Sequence, residues 1–181
     1  IFVASLCSAV TGVITLKLGG IISWSDFNLL FTTWWLGDVV GGLVVTPFLI
    51  TWSRLSGFIW TSRKFIQAIA LSVLTLFCLS LVFSNSFSIG QENYPLDFIY
   101  LPMAIMVAYS FYQYGASLFS LVVSAFAIHG TLNGYGPFVR DSVNESLLLL
   151  QAFIAVMMVT SLILAASLDE RKKANQRAKK D

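Results

Sequence analysis

Long apolar blocks separated by short polar stretches set the pattern of this chain. A helix needs roughly 20 mostly apolar residues to cross the hydrocarbon core of a bilayer. Six blocks approach that length, at about 1–18, 29–52, 65–84, 98–114, 116–132 and 145–168. Each is predicted to be helical, because lipid offers no partner to a free backbone N–H or C=O. The two-residue alternation of a membrane barrel is absent. The expected fold is therefore an all-α, polytopic transmembrane bundle of about six spans. The connection Gln113-Tyr114-Gly115 is short, so the fourth and fifth blocks are expected to pack as an antiparallel hairpin. The stretch 85–97, with Gly90, Asn93 and Pro95, reads as an external loop, and Asn133-Gly134-Tyr135-Gly136-Pro137 as a second external turn.

Composition points the same way. Of 181 residues, 57% are hydrophobic and 11% charged, with a mean hydropathy of +0.80. Soluble domains carry about a quarter charged residues, so the lipid bilayer is the expected solvent and partner. Arg54, Arg63 and Lys64 fall on one side with Arg171, Lys172, Lys173, Arg177, Lys179 and Lys180. Asp26, Glu92, Asp97, Asp141 and Glu145 fall on the other, with Arg140 as the basic exception and Lys17 placed to snorkel. Basic residues are retained on the cytoplasmic side, which puts the C-terminus there. Trp24, Trp34, Trp52 and Trp60 sit near predicted helix ends, as aromatic belts do. Cys7 and Cys78 lie in separate apolar blocks and read as buried reduced thiols.

The second block is the most unusual. It carries Trp34, Trp35, Gly37, Asp38, Gly41 and Pro47. A carboxylate at the depth of Asp38 costs several kcal/mol unless paired, hydrated or neutralised. Two readings stay open: Asp38 lines a polar cavity for a ligand, ion or proton, or it is a hydrogen-bond hub to a neighbouring helix. Trp34, Asp38, Gly41 and Val45 share one face. Gly37 and Gly41 form a small-x-x-x-small pair suited to close helix approach. Pro47 frees the carbonyl of Leu43 and is expected to kink the helix. His129, the chain's one histidine, ends the fifth block as a pH switch or a helix-end donor. Gln151 is expected to bond across helices or touch a ligand. Ser117, Ser120, Ser124 and Ala127 make a small-residue packing stripe, and Tyr109, Tyr112 and Tyr114 are expected in the bundle core or an interface, ahead of an aromatic wall for a ligand.

No nucleophile–base pair, phosphate loop or paired metal-ligand motif appears. No catalytic residue, metal site or cofactor is assigned, and no catalysis is expected of this segment. Beside a membrane, the basic tail meets anionic headgroups more readily than nucleic acid. The last block enters that tail without Gly or Pro, and Asp169 and Lys173 are spaced for an i, i+4 pair. The chain divides into a membrane domain, 1–168, and a helical linker, 169–181.

Three ordered segments carry a family resemblance. The first is Trp24-Ser25-Asp26-Phe27 with Trp34-Trp35-Leu36-Gly37-Asp38 and Thr46-Pro47. The second is His129-Gly130-Thr131 with Gly134-Tyr135-Gly136-Pro137-Phe138. The third is Leu147 to Gln151 with Phe153, ending in Asp169-Glu170-Arg171-Lys172. Together they cover most of 23–173, and the chain resembles the membrane-associated sensor domain of the first class, a MASE-type input domain of bacterial signalling proteins. It departs from the family at His129, where a Trp-Gly-Thr triplet is frequent. The resemblance implies about eight spans, of which this chain would be the last six, in the bacterial inner membrane. It also implies a cytoplasmic output module in cis: a histidine kinase, or a GGDEF or EAL module acting on cyclic-di-GMP. A homodimer and an unknown small-molecule ligand are further expectations. The rival reading is a solute or ion transporter subunit with Asp38 in its pathway; an intramembrane enzyme ranks last.

Overall fold

The computed structural model describes residues 1–53, 61–83 and 96–178. Arg54, Trp60, Glu92, most of the 85–97 loop and the last three tail residues, with Lys179 and Lys180, lie outside the described residues. Five α-helices follow in order: α1 (Phe2–Leu18), α2 (Phe27–Trp52), α3 (Ser62–Phe83), α4 (Tyr100–Leu132) and α5 (Val143–Arg177). No strand occurs among the described residues. The four helices α2 to α5 are long and apolar enough to cross a membrane, and α1 is a shorter apolar helix. The fold is thus an all-α, polytopic helical bundle.

The fourth and fifth predicted blocks fall within α4, which a break at Tyr112 divides into two legs. A straight helix of 33 residues would hold its ends about 50 Å apart at 1.5 Å per residue. Yet both ends of α4 meet Phe83, the last residue of α3. The ring of Tyr100 stacks on Phe83 with centroids 5.9 Å apart. At the other end, a Cβ on Gly130 would lie 2.8 Å from the Phe83 Cβ. Helix α4 therefore doubles back. The reversal is at Tyr112, whose φ of 52° and ψ of −140° are non-helical. Only glycine adopts that region readily, and a side chain there costs of order 1–3 kcal/mol. Gly115 lets the two legs close: a Cβ there would lie 2.5 Å from Phe111 Cβ and 2.8 Å from Val107 Cγ1. The hairpin expected at Gln113-Tyr114-Gly115 is thus present, its two helical legs joined through the non-helical residue Tyr112.

The contacts order the bundle by height. Phe83, Tyr100, Phe138 and Phe153 form an aromatic cluster at the acidic end, with Phe138 and Phe153 centroids 5.0 Å apart. Such pairs add about 0.5–1.5 kcal/mol each beyond burial. At the basic end, Trp52 meets Tyr114 edge-on at 6.3 Å, and Ala108, Ala116 and Ala165 pack at the hairpin tip. Helix α5 is the central strut. Its Leu150, Ile154, Met157, Met158, Ser161 and Ala165 are buried, a stripe at three- and four-residue spacing. By contrast Ile66, Ile69, Val73 and Phe77 on the outer face of α3 are exposed, as lipid-facing side chains are; Cys7 on α1, expected to be buried, is exposed too, while Cys78 is buried.

Helix α2 begins after a short 3₁₀ turn, Trp24–Asp26. Ser23 Oγ donates to Asp26 Oδ2 at 2.6 Å, and the Ser23 N–H donates to the same oxygen at 3.2 Å. The Ser23 hydroxyl and then its N–H hold the Asp26 carboxyl below its ordinary value. Beyond it, α2 passes Pro47 as one helix to Trp52; the marked break in the bundle is at Tyr112 instead.

Candidate functional site

The polar link between α2 and α5 lies at Gln151. Its Nε2 donates to the Thr33 carbonyl at 3.1 Å, across 118 residues of chain. The approach needs Gly37, one turn along α2, where a Cβ would lie 3.0 Å from that nitrogen. Thr33, Gly37, Val40 and Val44 make the inward stripe of α2 at three- and four-residue spacing, with Thr33, Val40 and Val44 buried. The Gln151 Oε1 is also buried and has no hydrogen-bond partner among the described residues. Gln151→Met, which keeps the volume and removes the donor, is expected to lower stability by about 1 kcal/mol, the scale of intramembrane side-chain hydrogen bonds. The check is the unfolding midpoint of purified protein in detergent; an unchanged midpoint would show that the link contributes nothing.

Asp38 lies on a different face. Trp34 packs over Gly12 of α1, where a Cβ would lie 2.6 Å from the indole, and Gly42 faces Ile1 at 3.2 Å. Asp38 falls between them at i+4 spacing, so it belongs to the α1-facing side of α2. It is half-buried, and it has no hydrogen bond or ion pair among the described residues. Of the two glycines expected to form one seam, only Gly37 meets another helix. A Cβ on Gly41 would meet nothing within 4 Å, so that position opens to the surroundings. Trp35 stacks on Phe31 at 6.4 Å, and its buried Nε1 has no acceptor among the described residues. His129 is exposed at the end of α4, where its carbonyl accepts from Asn133 Nδ2 at 2.7 Å. Pro47 lies nine residues beyond Asp38 on α2, away from the Gln151 link. The candidate residues therefore divide among three places: the α2–α5 link, the α1–α2 face and the acidic end of α4.

The serine stripe is a packing seam. Ser117, Ser120, Ser124 and Ala127 are all buried, and Ser120 Oγ lies 3.3 Å from Ser161 Oγ of α5. The three tyrosines do not form one wall. Tyr109 is exposed, Tyr114 packs on Trp52, and Tyr112 lies under Lys172, whose Nζ is 4.7 Å from the ring centroid. Sequence periodicity does not reveal this last contact, because it joins the hairpin tip to a residue 60 positions later. Just beyond it, Lys173 Nζ and Asp169 Oδ2 form the expected i, i+4 pair at 2.7 Å, and α5 stays helical to Arg177.

Among the described residues no group of His, Cys, Asp and Glu is placed to hold a metal ion. The class defined by this arrangement is a multi-pass membrane domain whose last helix projects a charged extension from the bundle. A sequence model of the MASE1 family matches residues 1–172, and the chain belongs to that family of membrane sensory input domains. No curated protein and no solved structure matches the chain. Family membership favours sensory input over the transport alternative.

Proposed function

We propose that this domain relays a membrane or periplasmic stimulus to a cytoplasmic output module in the same polypeptide. The module would be a histidine kinase or a GGDEF/EAL module of cyclic-di-GMP signalling, in a bacterial inner-membrane protein whose basic side is cytoplasmic. The observation that carries this reading is the continuity of α5. One helix holds Gln151 against α2, packs its middle turns in the core, and extends past the bundle to Arg177. A rigid helix transmits rotation or translation between its ends, and small helix shifts are an established form of switching.

Support also comes from the Tyr112–Lys172 contact. A strained residue at the hairpin tip touches the helix where it exits, and strained backbone clusters at switch regions. A cation over an aromatic face contributes about 0.5–1 kcal/mol at exposed sites, enough to bias two states several-fold and too little to decide folding. Lys172→Gln in the full-length protein is expected to shift basal output about two- to five-fold while membrane insertion and the unfolding midpoint stay unchanged. Output and stability moving together would make the residue structural. Asp38→Asn, which keeps the side chain's shape and removes its capacity for charge, tests whether charge on the α1-facing side of α2 enters the signal. Self-association through the open Gly41 face and a small-molecule stimulus belong to the same proposal.

A further inference from the structure

Between α3, the two legs of α4 and the end of α2 lies a cavity of about 260 Å³. That is many times the ~30 Å³ share of one water and close to the lower end of small-molecule sites, about 300–1,000 Å³. Its walls are almost wholly apolar and include Leu71, Val107, Phe111, Leu118 and Val122. The cavity lies in the basic half of the bundle, since Trp52, Tyr114 and the tight turn at Gly115 also line it. Two features mark its basic end. Trp52 carries a buried indole N–H with no acceptor among the described residues. An indole N–H finds a partner when buried, and leaving one unmet costs about 1–3 kcal/mol. In addition, Lys64 precedes Ala68, Leu71 and Thr75 on the cavity-facing line of α3 at i+4, i+7 and i+11, with Arg63 beside it. Basic side chains thus stand one turn beyond an apolar slot.

We propose that this cavity binds a single-chain anionic amphiphile of the fatty-acid class, with its chain between α3 and the hairpin and its carboxylate at Trp52 and Lys64. The volume suits one acyl chain and is small for a two-chain lipid. The charge and the unmet donor select an acidic headgroup over a hydrocarbon. The site deepens the sensory reading by naming a class of stimulus, and rests on that reading only for its consequence. The two α4 legs and α3 meet on the ligand, so occupancy would set the spacing at the tip where Tyr112 meets Lys172.

The test is photolabelling of the whole chain in phosphatidylcholine vesicles with a diazirine-bearing palmitate, followed by peptide mapping. The expected result is saturable label on residues 68–76 and 107–122, displaced by palmitate. Trp52→Phe, which keeps the ring against Tyr114, is expected to raise the half-saturating concentration about five-fold, the worth of one hydrogen bond. Ser72→Phe, which fills the slot from a partly lipid-facing position, is expected to abolish saturable label. Label spread over outward residues such as Ile105 and Val156, or label indifferent to both substitutions, would overturn the site. A diazirine phosphatidylglycerol that labels the same peptides more strongly would overturn the ligand class. Labelling is read without any output module. A site that labels as expected while palmitate leaves the output of the full-length protein unchanged would sustain the site and contradict the sensory link.

Discussion

Gly115→Val is expected to destabilise the bundle by about 3 kcal/mol, at the upper end for overpacking a closed site. The hairpin leaves no room there. A Cβ would already be 2.5 Å from the Phe111 Cβ, 2.8 Å from Val107 Cγ1 and 3.1 Å from the Val107 carbonyl oxygen. The last of these is backbone and cannot rotate away. Relief requires the legs to separate, and separation removes the packing that holds Tyr112 in its strained conformation. Gly41→Ala is the matched control, since a Cβ at that position meets open space. In a helix interior alanine is favoured over glycine by about 0.5–1 kcal/mol, so the control is expected to be neutral or slightly stabilising. Unfolding midpoints in detergent read both, and equal effects at the two glycines would refute the closed hairpin.

Inserting two glycines after Leu168 in the full-length protein is expected to reduce stimulus-dependent output at least ten-fold without harming membrane insertion. The bundle ends its close packing near Ala165, so the insertion disturbs no buried contact. It does rotate everything beyond it by roughly 200° and shift it by about 3 Å, through residues that weaken helix. It also moves Lys172 off Tyr112. Inserting seven alanines at the same point is the phase control. Seven residues return the helix face to within about 20°, so signalling through rotation is expected to survive that longer insertion. Loss in both would show that distance along the helix, rather than its angular phase, carries the signal.

Much of this was readable in the chain because lipid imposes strong constraints. Apolar length alone located the helix ends to within about three residues, save the C-terminal end of α5, which leaves the apolar block and runs on to Arg177. The i, i+4 rule anticipated Asp169–Lys173, and polarity inside an apolar block anticipated that Gln151 would reach another helix. What periodicity could not supply was the partner. Gly37 and Gly41 share a helix face, yet α5 reaches only the first, while Ile1 meets α2 at Gly42 and Trp34 of α2 packs over Gly12 of α1. Asp38 reads as a deep carboxylate, but which helix it faces depends on how α1 crosses α2. The reversal itself was legible at Gln113-Tyr114-Gly115; that it turns at Tyr112 was not. No glycine or proline stands at the turning residue, and the signature of the fold-back is Gly115, three residues later, placed for leg contact rather than for the turn. The aromatic cluster of Phe83, Tyr100, Phe138 and Phe153 draws on four separate segments and has no local pattern.

The hairpin tip and the departing α5 meet only because α4 folds back. Cysteine accessibility in intact membranes tests this most directly. In a background lacking Cys7 and Cys78, Asp97→Cys and Asn133→Cys flank the two ends of α4, and Ala178→Cys follows α5. The expected result is that a membrane-impermeant maleimide reaches Asp97→Cys and Asn133→Cys from the same face, and Ala178→Cys only from the other. Labelling of Asp97→Cys and Asn133→Cys from opposite faces would make α4 a single crossing and contradict it.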